Sequence, residues 1–194
     1  MGNAPLFHVE QMPQANLLRL DSPDGTNRLT RERVRALTSA IEGLPPRPLI
    51  ITGNAHFFSA GADLAEIAAL TGPAAYEFAH MGQTLMNAID RFPATVVAAV
   101  SGYCMGGGLD LALACDLRIA HPHAIFGHRG AALGLITGWG GTQRLPRLIG
   151  RARALEMFIC AEKLTAVRAL DFGLVDQISD DPAAAALQQL TTSN

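Results

Sequence analysis

Two glycine-rich turns hold the residues best placed for chemistry. The first, Phe57-Phe58-Ser59-Ala60-Gly61-Ala62-Asp63-Leu64, joins a predicted strand to a predicted helix through small side chains that leave the backbone open. The second, Ser101-Gly102-Tyr103-Cys104-Met105-Gly106-Gly107-Gly108-Leu109-Asp110, also runs from strand to turn to helix, with three glycines where the helix starts. A helix N-terminus offers unpaired N–H groups and partial positive charge, and glycine lets a ligand approach them closely. Two such amides aimed at one oxygen make an oxyanion hole, and each preorganised donor stabilises a developing enolate or tetrahedral oxyanion by roughly 3 kcal/mol. The alternative for either turn is structural, with glycine permitting a tight bend and close helix packing. A dinucleotide phosphate loop is set aside. The glycines of the second turn are contiguous rather than spaced G-x-G-x-x-G, and no acidic residue ends a second strand at the required distance. Asp110 has two readings: an acid/base group, or a first-turn carboxylate interacting with the helix dipole.

Short predicted strands and helices flank both turns. Leu6 to Glu10 and Leu17 to Asp21 suit strands, and Ser22-Pro23-Asp24-Gly25 is turn chemistry. Thr30 is an N-cap for a helix whose apolar residues Val34, Leu37, Ile41 and Leu44 recur at helical spacing until Pro45-Pro46. Pro48 to Thr52 is a buried strand feeding the first glycine turn. Ala62 to Leu70 and Pro73 to Arg91 are predicted helices, Thr95 to Val100 a strand, Gly107 to Ala114 a short helix and Asp116 to Ala120 a further strand. Strand, turn and helix thus alternate twice, which predicts an α/β fold. Beyond Gly138 the chain is mostly helical, with candidates at Gly140 to Ile149, Arg151 to Ala161, Thr165 to Phe172 and Pro182 to Leu190, and an extended Leu174 to Ser179. There is no fixed-period sequence repeat.

Composition bounds the function. The chain has 194 residues, 49% hydrophobic and 16% charged, enough for one sizeable core, so a single domain over 1–194 is expected, with a core of about 5–150 and a helical part from 151 onward. A net charge of −2 gives no bulk attraction for nucleic acid or an anionic membrane, so an anionic ligand must be held locally. Cys104, Cys115 and Cys160 form no CxxC and no metal-like pattern with histidine, which points to a reducing, cytoplasmic setting without a disulfide framework or a zinc site. Met1 to Glu10 lacks the basic flank and apolar core of a signal peptide. The apolar stretch Ala94 to Ala120 is interrupted by glycines and aspartates and reads as buried core rather than a membrane span.

In order along the chain, both turns, Leu113-Ala114-Cys115-Asp116-Leu117-Arg118-Ile119-Ala120, Ala124-Ile125-Phe126-Gly127 and Gly138-Trp139-Gly140-Gly141-Thr142-Gln143-Arg144-Leu145-Pro146-Arg147-Leu148-Ile149-Gly150 resemble the crotonase (enoyl-CoA hydratase/isomerase) superfamily. The resemblance runs from about Leu17 to Ile178. It implies a crotonase-like spiral of ββα repeats, homotrimers that pair into hexamers, and an acyl-CoA thioester whose carbonyl is bound by two backbone amides. Matched by position, those amides belong to Ala62 and Gly107. The loop Ala60, Gly61, Ala62, Asp63 and Leu64 would also touch the adenine and pantetheine portions of coenzyme A, which enters as part of the substrate with no tightly bound cofactor.

The same comparison exposes departures. Hydratases of the family use two glutamates, and their positions hold Asp110 and Gly130. Aspartate keeps the charge but is one methylene shorter, and glycine supplies no acid or base. Dienoyl-CoA isomerases resemble this chain at Asp110 yet need carboxylates where it has Gly130 and Gly138. The dihydroxynaphthoyl-CoA synthase branch shares the glycine at 130, but Thr137 stands in place of its downstream aspartate. His128 and Arg129 are unusual; each reads as a surface or structural residue, or as a replacement for the lost chemistry. His56, His80 and Trp139 are assigned to a loop, a helix surface and packing. Asp24 occupies the early turn where the family often has a lysine near the CoA phosphates, and the chain ends at Asn194, before the family's site-covering C-terminal helices. The expectation is an enolate-stabilising enzyme of weak or altered hydratase activity, with Asp110 as the remaining acid/base. The alternatives are a non-catalytic acyl-CoA-binding homologue and a lyase or decarboxylase using the same hole. Gly130→Glu is expected to return a carboxylate opposite Asp110 and raise hydration.

Overall fold

A computed structural model describes residues 6–192, so residues 1–5 of the predicted N-terminal segment lie outside the described residues. A six-stranded sheet has the order β1-β2-β3-β5-β7-β10 and a four-stranded sheet the order β4-β6-β8-β9. Strands β1 (Phe7–Gln11) and β2 (Asn16–Leu20) form an antiparallel hairpin. From β2 onward the large sheet is parallel through β3 (Leu49–Thr52), β5 (Val96–Val100), β7 (Leu117–Ala120) and β10 (Gln177–Ile178).

Three consecutive units repeat one path. The first strand of each unit, β3, β5 or β7, adds to the large sheet. The second, β4 (Phe57–Ser59), β6 (Tyr103–Met105) or β8 (Ile125–Gly127), adds to the small one before the chain turns into helix. The helices are α2 (Leu64–Ala68) and α3 (Gly72–Asp90) in the first unit, α4 (Gly107–Ala114) in the second, and α5 (Gly141–Ile149) in the third. This is the expected ββα spiral, an α/β fold whose repeat lies in the path of the chain rather than in its letters. The small strands escape sequence reading because three residues are too few to show a period. The last of them, β9 (Lys163–Thr165), pairs antiparallel with β8.

The main core lies between the large sheet and helices α1 (Arg31–Glu42), α3 and α4, centred on Leu18, Leu37, Ile51, Phe58, Leu85, Met86 and Leu109. Thr30 caps α1 as predicted, its Oγ1 accepting from the Arg33 amide at 3.2 Å. A smaller core of Ala15, Ile50, Val97, Ala99 and Ile119 covers the opposite face of the sheet, closed by Ala186 and its neighbours on α8 (Pro182–Thr192). With both faces covered, all five residues of β5 are buried, which is why it reads as an unbroken apolar run. Helices α6 (Arg151–Ile159) and α7 (Ala166–Asp171) complete the chain. Cys104 and Cys115 are buried free thiols, and burial pushes the Cys115 thiol up to about 12, which favours its protonated form. Among the described residues no helix is long and apolar enough to cross a membrane.

Candidate active site

The two glycine turns meet. Gly61 has φ +92, and a Cβ placed on it would stand 2.6 Å from the Met105 carbonyl oxygen and 3.0 Å from the Gly107 nitrogen. A Cβ on Gly107 would lie 3.3 Å from the Ala62 nitrogen. Only hydrogen side chains allow this approach, and its result is that the backbone nitrogens of Ala62 and Gly107 are neighbours. Among the described residues neither N–H donates to a protein acceptor. Gly107 is the first residue of α4, where an amide has no intrahelical partner. Ala62 is held by a parallel bridge to Leu29, with the Leu29 amide donating to the Gly61 carbonyl at 2.8 Å.

Both residues open onto one cleft of about 420 Å³, lined mainly by apolar side chains and reached also by Ala60, Leu64, Asp110, His128, Arg129 and Gly130. Two free amides at the wall of an apolar cleft can receive one oxygen and stabilise charge developing on it. Trp139, 3% exposed, backs this wall. A Cβ on Gly107 would meet its ring at 2.5 Å, one on Gly82 of α3 would meet it at 2.1 Å, and its Nε1 donates to the Phe78 carbonyl at 3.2 Å. The packing role read from the sequence is therefore correct, and what Trp139 packs against is the glycine at the site.

The loop residues divide. Ala60, Ala62 and Leu64 line the cleft, whereas Gly61 is buried behind it. The Asp63 side chain is occupied locally: Oδ1 caps α2, accepting from the Ala65 and Glu66 amides at 2.9 and 3.0 Å. The cap also shortens the predicted Ala62 to Leu70 helix to Leu64–Ala68. The Asp24 carboxylate is absorbed by its own turn. Hydrogen bonds from Ser22 and then Thr26, with Arg28 nearby, lower its pKa to about 2. Arg28, half-exposed, pairs with Asp24 at 3.3 Å and Asp63 at 3.6 Å, placing beside the loop a cation that the reading of Asp24 alone did not anticipate.

Asp110 is buried in α4, 1% exposed, and lines the same cleft. Thr137 Oγ1 donates to its Oδ2 at 2.5 Å, and a Cβ on Gly141 would meet its Oδ1 at 2.2 Å, so that oxygen rests against the first residue of α5. Gly130 lies at the cleft wall, but the turn there is tight. A Cβ on it would meet the Leu135 carbonyl oxygen at 2.6 Å, and its own carbonyl accepts from the Leu133 and Leu135 amides, both at 2.8 Å. The expectation that Gly130→Glu simply restores a carboxylate is corrected accordingly: any side chain there must first displace the 130–135 turn. His128, 7% exposed, is the residue whose place sequence reasoning left open between surface and site; it is buried and lines the cleft.

A family model described as enoyl-CoA hydratase/isomerase matches residues 14–191. The chain belongs to the enoyl-CoA hydratase/isomerase family. It is 40% identical over 184 residues to YngF of Bacillus subtilis, which carries an enoyl-CoA hydratase/isomerase name, covering 92% of this chain and 70% of that protein. It is 36% identical over 175 residues to a crotonyl-CoA hydratase of Syntrophomonas wolfei, covering 88% of this chain and 67% of that one. Its fold superposes on Pseudomonas aeruginosa DspI with a TM-score of 0.92 at 36% identity, over 99% of this chain and 76% of the other. The chain thus spans about two thirds of the length of the curated relatives it matches. Membership in the enoyl-CoA hydratase/isomerase family accounts for the ββα spiral.

Proposed function

We propose that this protein acts on an acyl-CoA thioester, its Ala62 and Gly107 amides holding the thioester oxygen as an enolate forms. The unpaired, neighbouring amides at the cleft wall carry this reading. Family membership supports the thioester class, and the apolar lining suits an acyl chain. Coenzyme A enters with the substrate and leaves with the product. A homotrimer or hexamer in the cytoplasm belongs to the same reading. With Gly130 in place of one carboxylate, hydration of crotonyl-CoA is slow relative to a two-glutamate enzyme.

Purified protein offered crotonyl-CoA, a dienoyl-CoA and a β-keto thioester is expected to consume at least one of them, and calorimetry with butyryl-CoA is expected to show binding. Binding without turnover of any of these would favour a second reading, a non-catalytic acyl-CoA-binding homologue. One observation favours that rival: Asp110 Oδ2 accepts from Thr137, and Oδ1 is packed in against Gly141. Neither binding nor turnover would sink the thioester reading altogether.

A further inference from the structure

We propose that His128 is the acid/base group of this site, with its imidazole taking over at the place where Gly130 supplies no carboxylate and with Asp110 orienting the ring. This rests on the enolate chemistry above and names the group that moves its proton.

The placement is specific. His128 follows directly on β8, whose last residue, Gly127, is fixed by its carbonyl accepting from the Gly106 amide at 2.9 Å, so the ring is anchored to the same turn that presents Gly107. A Cβ on Gly130 would lie 3.5 Å from His128 Nδ1, so the imidazole stands alongside the space that a side chain at 130 would enter. On the other edge of the ring, Nε2 is 3.8 Å from Asp110 Oδ2, and Phe158 of α6 meets the ring edge-on with centroids 5.6 Å apart. A distance of 3.8 Å is within ion-pair reach and beyond a hydrogen bond, and Nε2 and Asp110 Oδ1 are both buried without a hydrogen-bond partner.

A histidine kept only for packing has its buried nitrogens bonded, because an unpaired buried polar group is costly. Here, among the described residues, the acidic group that Nε2 faces is the buried Asp110 carboxylate, at 3.8 Å. Asp110 therefore favours the tautomer with the proton on Nε2, leaving the Nδ1 lone pair beside Gly130. The charged groups around the ring are Asp110 from α4 and Arg129 from its own loop. Glu162 and Lys163 flank Gly127 from the β9 side, where Glu162 is paired with Arg168.

The proton balance closes with this one group. In hydration, Nδ1 takes a proton from water as the water oxygen bonds to C3 of the enoyl thioester. The C2–C3 π pair shifts to give the enolate, whose oxygen lies between the Ala62 and Gly107 amides. The imidazolium, stabilised by Asp110, then returns the proton to C2, leaving a 3-hydroxyacyl thioester and neutral His128. No second carboxylate is needed.

General acid–base groups contribute about 10²–10⁴-fold to rate. His128→Ala is expected to lower crotonyl-CoA turnover at least about 100-fold while butyryl-CoA affinity stays within about threefold, and imidazole added to the buffer restores part of the lost rate. His128→Gln, which fills the same space, gives the same loss without rescue and serves if the alanine variant does not fold. Wild-type turnover retained in a folded His128 variant overturns the proposal and leaves the thioester enzyme intact. An inert wild type that still binds butyryl-CoA overturns both. A loss that imidazole does not relieve, accompanied by equal loss of butyryl-CoA binding in both variants, assigns His128 to structure.

Discussion

Gly61 is the residue on which the site geometry turns. Its φ of +92 excludes ordinary side chains, and the 2.6 Å and 3.0 Å contacts of a notional Cβ are with backbone atoms that cannot swing aside. Gly61→Ala is therefore expected to cost about 1–3 kcal/mol of stability through strain. Because relief of that strain separates the two turns, thioester turnover should fall by about 100-fold, the scale of losing one oxyanion donor. Denaturant melts and initial rates on the same preparation check both halves; a stability loss with unchanged rate would mean that the amide pair is not the functional element. At this scale much was legible: glycine types and spacing point to the exposed amides, and Asp110 stands out as a carboxylate at the site. The contact between His128 and Asp110 was not legible, since it depends on how β8 lies against α4, and no local pattern encodes that.

Elements rather than residues hold the wall in place, and Trp139 is where three of them meet. The ring is wedged between Gly82 of α3 and Gly107 of α4 and stands just before α5, so it transmits the position of two helices to one amide. Trp139→Ala should cost about 3–5 kcal/mol, as expected for emptying a buried aromatic site. In the folded remainder it should also weaken acyl-CoA binding. Gly82→Ala pushes the ring from the opposite side, and calorimetry on both single variants and the pair should show effects well short of additive. Full additivity would mean that the ring does not couple α3 to the site. Long elements were legible here: α4 spans the predicted Gly107 to Ala114, and the long helix read as Pro73 to Arg91 is found at Gly72–Asp90. The three-residue strands were not, because their conformation is imposed by pairing with neighbours rather than by their own sequence.

Across the whole molecule, the site lies on one side of the large sheet while α8 covers the other, and the C-terminal segment is joined to the sheet through Arg118. This guanidinium, 3% exposed, donates to the carbonyls of Leu174 at 2.7 Å and Cys115 at 2.8 Å and pairs with Asp176 at 3.1 Å. The backbone of Arg118 adds two further ties, its N–H donating to Asp176 Oδ2 at 2.7 Å and its carbonyl accepting from the Asp176 amide at 2.9 Å. Arg118→Met preserves length and apolar contact but removes the guanidinium from the buried carbonyls and from Asp176, which keeps only the residue-118 backbone N–H, a change expected to cost about 3 kcal/mol. Since β10 pairs with β7 only at Gln177 and Ile178, the loss should be felt locally first. Hydrogen exchange at residues 177–190 should quicken well before the strands β3, β5 and β7 open, as a subglobal unit released from the sheet edge. The amide pair, on the far side of the sheet, should be unaffected, so butyryl-CoA affinity of the folded protein stays at the wild-type value. If exchange instead rises uniformly and affinity falls with it, then the C-terminal segment and the site form one cooperative unit, and the two faces of the sheet do not act independently.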